Sequence, residues 1–214
     1  VKTPAELEQL RGASEGITDA MQATFAATGE GATKHEIIER LRQEETKRGL
    51  VFDYCLIAMG SSHNRAGSDQ AWKQGEVLSL DSGGNFNGYI GDICRMAILG
   101  EPDSELVDLL GEIEEIQHAA FAEVKAGALG VTITSAGQEA LERQPNKAHT
   151  DFFGHGMGLV SHEAPFLLTN KPVAYEGRDS EKPLKAGMVL SIETHMLHPK
   201  RGYIKLEDTL AVTD

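Results

Sequence analysis

The sequence predicts an α+β chain folded as two similar halves, about residues 1–100 and 101–214. Three observations predict it. The order long helix, shorter helix, extended segments occurs twice along the chain. Gly31, Thr33 and His63 recur as Gly130, Thr132 and His162, each at an offset of 99, which points to an internal duplication. With 214 residues, 40% of them hydrophobic, the chain can bury a core without disulfide or metal staples.

The first helix opens at Thr3-Pro4-Ala5-Glu6, a capping box with proline at the first helical position, and Leu7, Leu10, Ile17, Met21 and Phe25 follow at helical spacing. Gly29 and Gly31 break it. Thr33 and Glu36 form a second capping box, opening a shorter helix through Ile37, Ile38 and Leu41 to Gly49. Extended segments are predicted at Asp53 to Met59, Glu76 to Phe86 and Tyr89 to Leu99. After Pro102 a long helix carries Leu106, Leu109, Leu110, Ile113, Ile116, Phe121 and Val124 and ends at Gly127. Another short helix starts near Thr132 and stops before Pro145. Phe152 to Val160, Met188 to Glu193 and Ile204 to Val212 are then read as extended.

A net charge of −13 argues against a nucleic-acid partner, whose phosphates call for clustered Lys and Arg. The apolar runs, Tyr54 to Met59 among them, are too short to span a bilayer, so no membrane partner is expected. Val1-Lys2-Thr3-Pro4 leads straight into an amphipathic pattern and lacks the layout of a secretory signal, so a cytoplasmic protein is expected. Cys55 and Cys94, in strand-like apolar surroundings, read as small buried hydrophobes in a reducing compartment. The long amphipathic helices flanking Pro102 offer a candidate homodimer face, although one side on the core and the other on solvent accounts for the same pattern.

The chemistry starts at a turn. Asn87-Gly88 between two β-rich runs predicts a two-residue type I′ hairpin, because such a turn needs φ > 0 at both central residues. If Phe86 pairs with Tyr89, then Asp81 pairs with Cys94 and Gly83 with Asp92, and Asp81 and Asp92 become diagonal neighbours on one face, roughly 7 Å apart. Two such carboxylates repel unless a cation or a proton lies between them; on the hairpin alone, acids solvated at a sheet end are the preferred reading. Phe153-Gly154-His155-Gly156-Met157-Gly158 brackets an imidazole with glycines that bring backbone close. Glu193 in Ser191-Ile192-Glu193-Thr194 and Glu207 in Leu206-Glu207-Asp208-Thr209 sit inside apolar strand patterns, where an unpaired carboxylate is expensive to bury. Each needs a cation, and a structural salt bridge would serve either one taken singly.

Together Asp81, Asp92, His155, Glu193 and Glu207 resemble, in order and in the spacing of the two aspartates, the five metal ligands of the pita-bread metallopeptidases. That family includes methionine aminopeptidase, prolidase, Xaa-Pro aminopeptidase and the metal-free creatinase. The resemblance covers nearly the whole chain and implies the pita-bread fold, a curved antiparallel sheet covered by helices. It implies that Asp92 and Glu207 bridge two divalent ions, that Asp81 chelates one and that His155 with Glu193 holds the other. Four carboxylates and one imidazole suit Mn2+ first, with Fe2+, Co2+ or Zn2+ as alternatives. His162, seven residues after His155, and His63, eighteen before Asp81, are similar to the family's substrate-contacting histidines. Singly, each would more often be a surface or satisfied core residue.

Glu207-Asp208-Thr209 and Leu99-Gly100-Glu101-Pro102 resemble the prolidase and Xaa-Pro aminopeptidase branch, which implies hydrolysis of Xaa-Pro bonds in small peptides by a hydroxide bridging the ions, with Glu193 as proton acceptor and His162 and His63 steadying the oxyanion and the leaving nitrogen. Thr194 departs from the proline usual after the first glutamate, and Lys205 stands where that branch has arginine; an ammonium and a guanidinium do not hold a substrate carboxylate alike. The branch's separate N-terminal domain has no counterpart in these residues, so a fragment or a compact relative is expected. Hydrolysis of a non-peptide amide or a cyclic amidine, and an inactive binding module on the same scaffold, are the competing readings. His195 and His198 are read as surface residues of a turn containing Pro199.

Overall fold

The computed structural model describes residues 1–167 and 179–214. Both capping boxes form: Thr3 and Glu6 exchange side-chain and backbone hydrogen bonds at the start of α1 (Pro4–Ala26), and Thr33 and Glu36 do so at the start of α2 (Lys34–Lys47). α3 (Ser104–Phe121) is capped by Asp103 and stops at Phe121, short of the expected Gly127, because the chain turns there to place Val124 and Ala126 against the core. α4 (Gly130–Glu142) starts earlier than Thr132 predicts, with Leu129 at its N-cap and no side-chain cap bond. A single 3₁₀ turn, Lys147–His149, precedes the next strand.

The strands are β1 (Val51–Met59), β2 (Val77–Phe86), β3 (Tyr89–Ile98), β4 (Thr150–Gly156), β5 (Glu163–Phe166), β6 (Val189–His198) and β7 (Gly202–Ala211). They form one antiparallel sheet in the order β1-β2-β3-β7-β6-β4-β5. The Asn87-Gly88 turn has φ 53 and 95, and the register is the expected one: Phe86 opposite Tyr89, Asp81 opposite Cys94, Gly83 opposite Asp92.

Three readings are corrected by the second half. β4 ends at Gly156 instead of Val160, and the four-residue β5, short and interrupted by Pro165, was not foreseen. β6 runs on to His198, so His195 and His198 are buried strand residues and not surface ones. Their tertiary partners explain this: the His195 ring stacks on Tyr203 with centroids 5.6 Å apart, and His198 Nδ1 accepts the Arg201 N–H at 3.0 Å, closing the turn into β7.

Strand alternation decides what faces what. In β2, Leu78 and Leu80 enter a core with Ile17 and Met21 of α1, Ile37 and Leu41 of α2 and Trp72, while Asp81 points to the other face. In β6, Leu190 and Ile192 pack with Ile116 of α3, Ile133 and Leu141 of α4 and Phe152, while Glu193 points away. Each such fully buried aliphatic side chain contributes about 1.5–3 kcal/mol relative to exposure. The helices thus hold one face of the sheet and leave the acidic face to form a site.

Candidate metal centre

All five expected ligand residues are buried and meet on that face. Ligand atoms of Asp81, Asp92 and Glu207 lie within 4.8 Å of one another, as do those of His155, Glu193 and Glu207, and those of Asp92, His155 and His162. Residues of other strands orient them. Ser191 Oγ donates to Glu207 Oε1 at 2.7 Å, and the Tyr54 hydroxyl donates to Asp92. Tyr54 fits only because residue 83 is glycine: a Cβ there would come within 2.3 Å of its ring. His155 turns Nδ1 toward the Gly156 carbonyl, 3.3 Å away, and Nε2 toward Glu193 Oε1 and Glu207 Oε1, at 3.7 and 3.6 Å. The His162 ring stacks on His155 with centroids 3.8 Å apart.

The electrostatics follow from packing carboxylates together out of water. Burial pushes the Asp81 carboxyl up to about 6 even though Lys205 and Arg65 oppose it, and burial with the charges of Glu207 and Asp81 pushes Asp92 well up. Glu207 goes the other way: burial alone would raise it, but the Lys205 ammonium and His155 hold it well below the usual carboxylate range. Burial would lower His155, yet the Glu193 and Glu207 carboxylates close to Nε2 carry it up to about 10. Burial, and then the charge of His155, push His162 down to about 4. Asp92 Oδ1 and His155 Nε2 are buried and lack a hydrogen-bond partner, a costly state that a divalent cation relieves. This oxygen-rich donor set with one imidazole fits a metal ion of the manganese, iron or cobalt kind.

Three residues stand elsewhere than expected or were not foreseen. His63 is exposed, its Nε2 3.0 Å from the His198 carbonyl oxygen, and it does not line the cleft. Arg65, two residues on, does: Nη2 donates to Asp81 Oδ2, and the guanidinium lies 4.8 Å over the Tyr203 ring. Lys205 is not an outward substrate clamp, for its ammonium lies among Asp81, Glu193 and Glu207. Nothing local to Arg65 or Tyr54 marks them; only the folded sheet brings them to the cluster.

The cluster opens into a cavity of about 220 Å³ walled by Tyr54, Arg65, Phe153, His162, His195 and Tyr203. A larger apolar cavity, about 340 Å³, lies beside α3 between Val77, Met96, Leu106 and Ile204, with Glu114 as its one ionisable lining group, so it carries none of this chemistry.

Helix-backed antiparallel sheet and buried carboxylate–imidazole cluster together define the class, a pita-bread fold carrying a candidate metal centre. More particularly, the chain belongs to metallopeptidase family M24, whose model matches residues 8–214. It is 28% identical to the Xaa-Pro dipeptidase of Pyrococcus furiosus, aligning over 100% of this chain and 61% of that protein. Among solved structures it resembles the X-Pro aminopeptidase of Thermotoga maritima, with a TM-score of 0.90 and 25% identity over 100% of this chain and 60% of that one. Methionine aminopeptidase of Rickettsia prowazekii, 18% identical over 100% of this chain and 95% of that one, shares the fold with a TM-score of 0.82. The chain spans about three fifths of the length of the dipeptidase it matches (61%). No helix among the described residues is long and apolar enough to cross a membrane.

Proposed function

We propose that residues 1–214 are the catalytic unit of a metal-dependent peptidase that hydrolyses Xaa-Pro bonds in short peptides. The observation that carries this reading is the convergence of Asp81, Asp92, His155, Glu193 and Glu207 from five strands on one buried cluster at the floor of a cavity. At about 220 Å³ that cavity is smaller than the roughly 300–1,000 Å³ of typical small-molecule sites, which favours a dipeptide-sized occupant. The names borne by the Pyrococcus and Thermotoga relatives support the Xaa-Pro bond as the target. The matched registers of the β2–β3 and β6–β7 hairpins support two pseudo-symmetric halves, about 1–100 and 101–214.

Asp92, His155, Glu193 and Glu207, with Asp81 beside them, hold the metal in this reading. A divalent ion there, Mn2+ being the first choice for such donors, supplies a Lewis acid for the scissile carbonyl and lowers the pKa of water. Glu193 takes the proton released as the nucleophile attacks and passes it to the leaving nitrogen. His162 stays neutral at pH 7, since its burial, the largest cause, pushes it down to about 4, so it donates an N–H to the developing oxyanion without adding charge. His63 has no part in this scheme while its ring remains on the His198 carbonyl.

A panel of Xaa-Pro dipeptides, longer Xaa-Pro peptides and small cyclic amidines, assayed with added Mn2+, tests the reading. The highest kcat/KM is expected for the dipeptides, and chelation should abolish it. Turnover of the amidines alone moves the function to the non-peptide reading, and turnover of nothing leaves a binding module.

A further inference from the structure

Lys205 lies on β7 three residues beyond the closing pair His198–Gly202, the place that Asp92 takes on β3 relative to Phe86–Tyr89. It therefore faces the acidic cluster. Its ammonium lies 2.5 Å from Asp81 Oδ2 and 2.7 Å from Glu207 Oε2, is in contact with Glu193 Oε2, and is only 2% exposed. Arg65 Nη2 reaches the same Asp81 oxygen. The carboxylate that the family resemblance assigns to one of two metal ions thus already carries two protein cations.

Charge and atom assignment lead to the same conclusion. As ligands of a bound ion the four carboxylates (Asp81, Asp92, Glu193, Glu207) are ionised and His155 is neutral, so that against two protein cations they leave a deficit of two charges, which one divalent ion cancels. A second would overshoot neutrality beside a buried ammonium, where like charges a few ångströms apart repel strongly. Lys205 uses the Oε2 atoms of Glu193 and Glu207, whereas the Oε1 atoms face His155 Nε2. Asp92 Oδ1 and, on the Oε1 side, His155 Nε2 lack hydrogen-bond partners, as does Glu207 Oε2, whose near neighbour is the Lys205 ammonium.

We propose that this chain binds a single divalent ion, on Asp92, His155, Glu193 and Glu207, and that the Lys205 ammonium, with Arg65, replaces the second ion on the Asp81 side. The proposal rests on the reading of the cluster as a metal site and departs from the two-ion arrangement that the resemblance implies.

The test is a count. The metal-depleted chain is titrated with Mn2+, bound ions are measured by elemental analysis after gel filtration, and spin coupling is followed by electron paramagnetic resonance. The wild type should hold one ion per chain with no coupled-pair signal. Lys205→Met should hold two, with the second equivalent at least about a hundredfold tighter than in the wild type and with the coupling of ions about 3.5–4 Å apart. Two ions in the wild type, or one in a folded Lys205→Met, overturn the proposal. If Lys205→Met fails to fold by circular dichroism, Arg65→Met decides: its second equivalent should tighten about tenfold, and no change refutes the role given to the two cations. A wild-type chain that binds no ion removes the metal reading itself, a result distinct from binding two.

Discussion

The two central hairpins, β2–β3 and β6–β7, put different chemistry at the same places. Five residues before the closing pair stands Asp81 in the first and Glu193 in the second; five after it, Cys94 and Glu207; three after it, Asp92 and Lys205. Cys94 and Glu207 are also direct partners where β3 meets β7. Equal backbone positions thus provide carboxylates of two lengths, a fully buried thiol and an ammonium. The backbone determines where groups converge, and single side chains determine the charge found there.

The strongest way to break this comparison is to remove one acid from each hairpin. Asp92→Ala and Glu207→Ala should each lose bound Mn2+ and more than about a thousandfold in kcat/KM, because the nucleophile depends on the site as a unit. Wild-type metal content in both variants would show that the cluster is not the metal site.

The two histidines at an offset of 99 separate next. His162→Ala should keep its metal and lose roughly a hundredfold in kcat with little change in KM, the scale of one lost oxyanion donor. His63→Ala should change kcat by less than about threefold, since its ring serves the His198 carbonyl outside the cleft. Steady-state kinetics with metal analysis checks both, and equal losses would restore the symmetric role expected for His63.

A smaller contrast concerns the helices. The buried residues of α4 are Gly130, Ile133, Gly137, Ala140 and Leu141, but α2 buries Glu45, with Oε1 accepting from Ser82 Oγ at 2.9 Å and Oε2 unpartnered. Burial pushes this carboxyl from 4.5 up to about 7, so the folded state binds its proton more tightly than the unfolded chain does. The associated stability is fully present below 4.5 and is lost as pH rises through about 7. Glu45→Gln should therefore match the wild type near pH 4 and exceed it at pH 8 by up to about 3 kcal/mol, measured by denaturant unfolding. An unchanged pH profile would show that Glu45 ionises freely.

The smallest effect distinguishes the helix starts. Thr33→Ala should cost about 1 kcal/mol by removing an N-cap, whereas Thr132→Ala, inside α4, should cost less than about 0.5 kcal/mol. Equal values from thermal unfolding would mean that the cap bond contributes nothing.

What the sequence determined by itself was local or carried by short motifs. Thr3/Glu6 and Thr33/Glu36 satisfy backbone donors within three residues, and Asn87-Gly88 permits positive φ, so helix starts and hairpin register were legible from neighbours in the chain. The five candidate ligands were legible because each sits in a recognisable short motif. Only the tertiary structure decided the rest. Arg65 and Lys205 are 140 positions apart, yet both end on Asp81 Oδ2, and His195 and His198 are buried by Tyr203 and the turn after β6. A long side chain has many rotamers, and which of them is populated depends on charges delivered by other strands. No local pattern records that choice, so the count of cations at the centre is a property of the folded sheet.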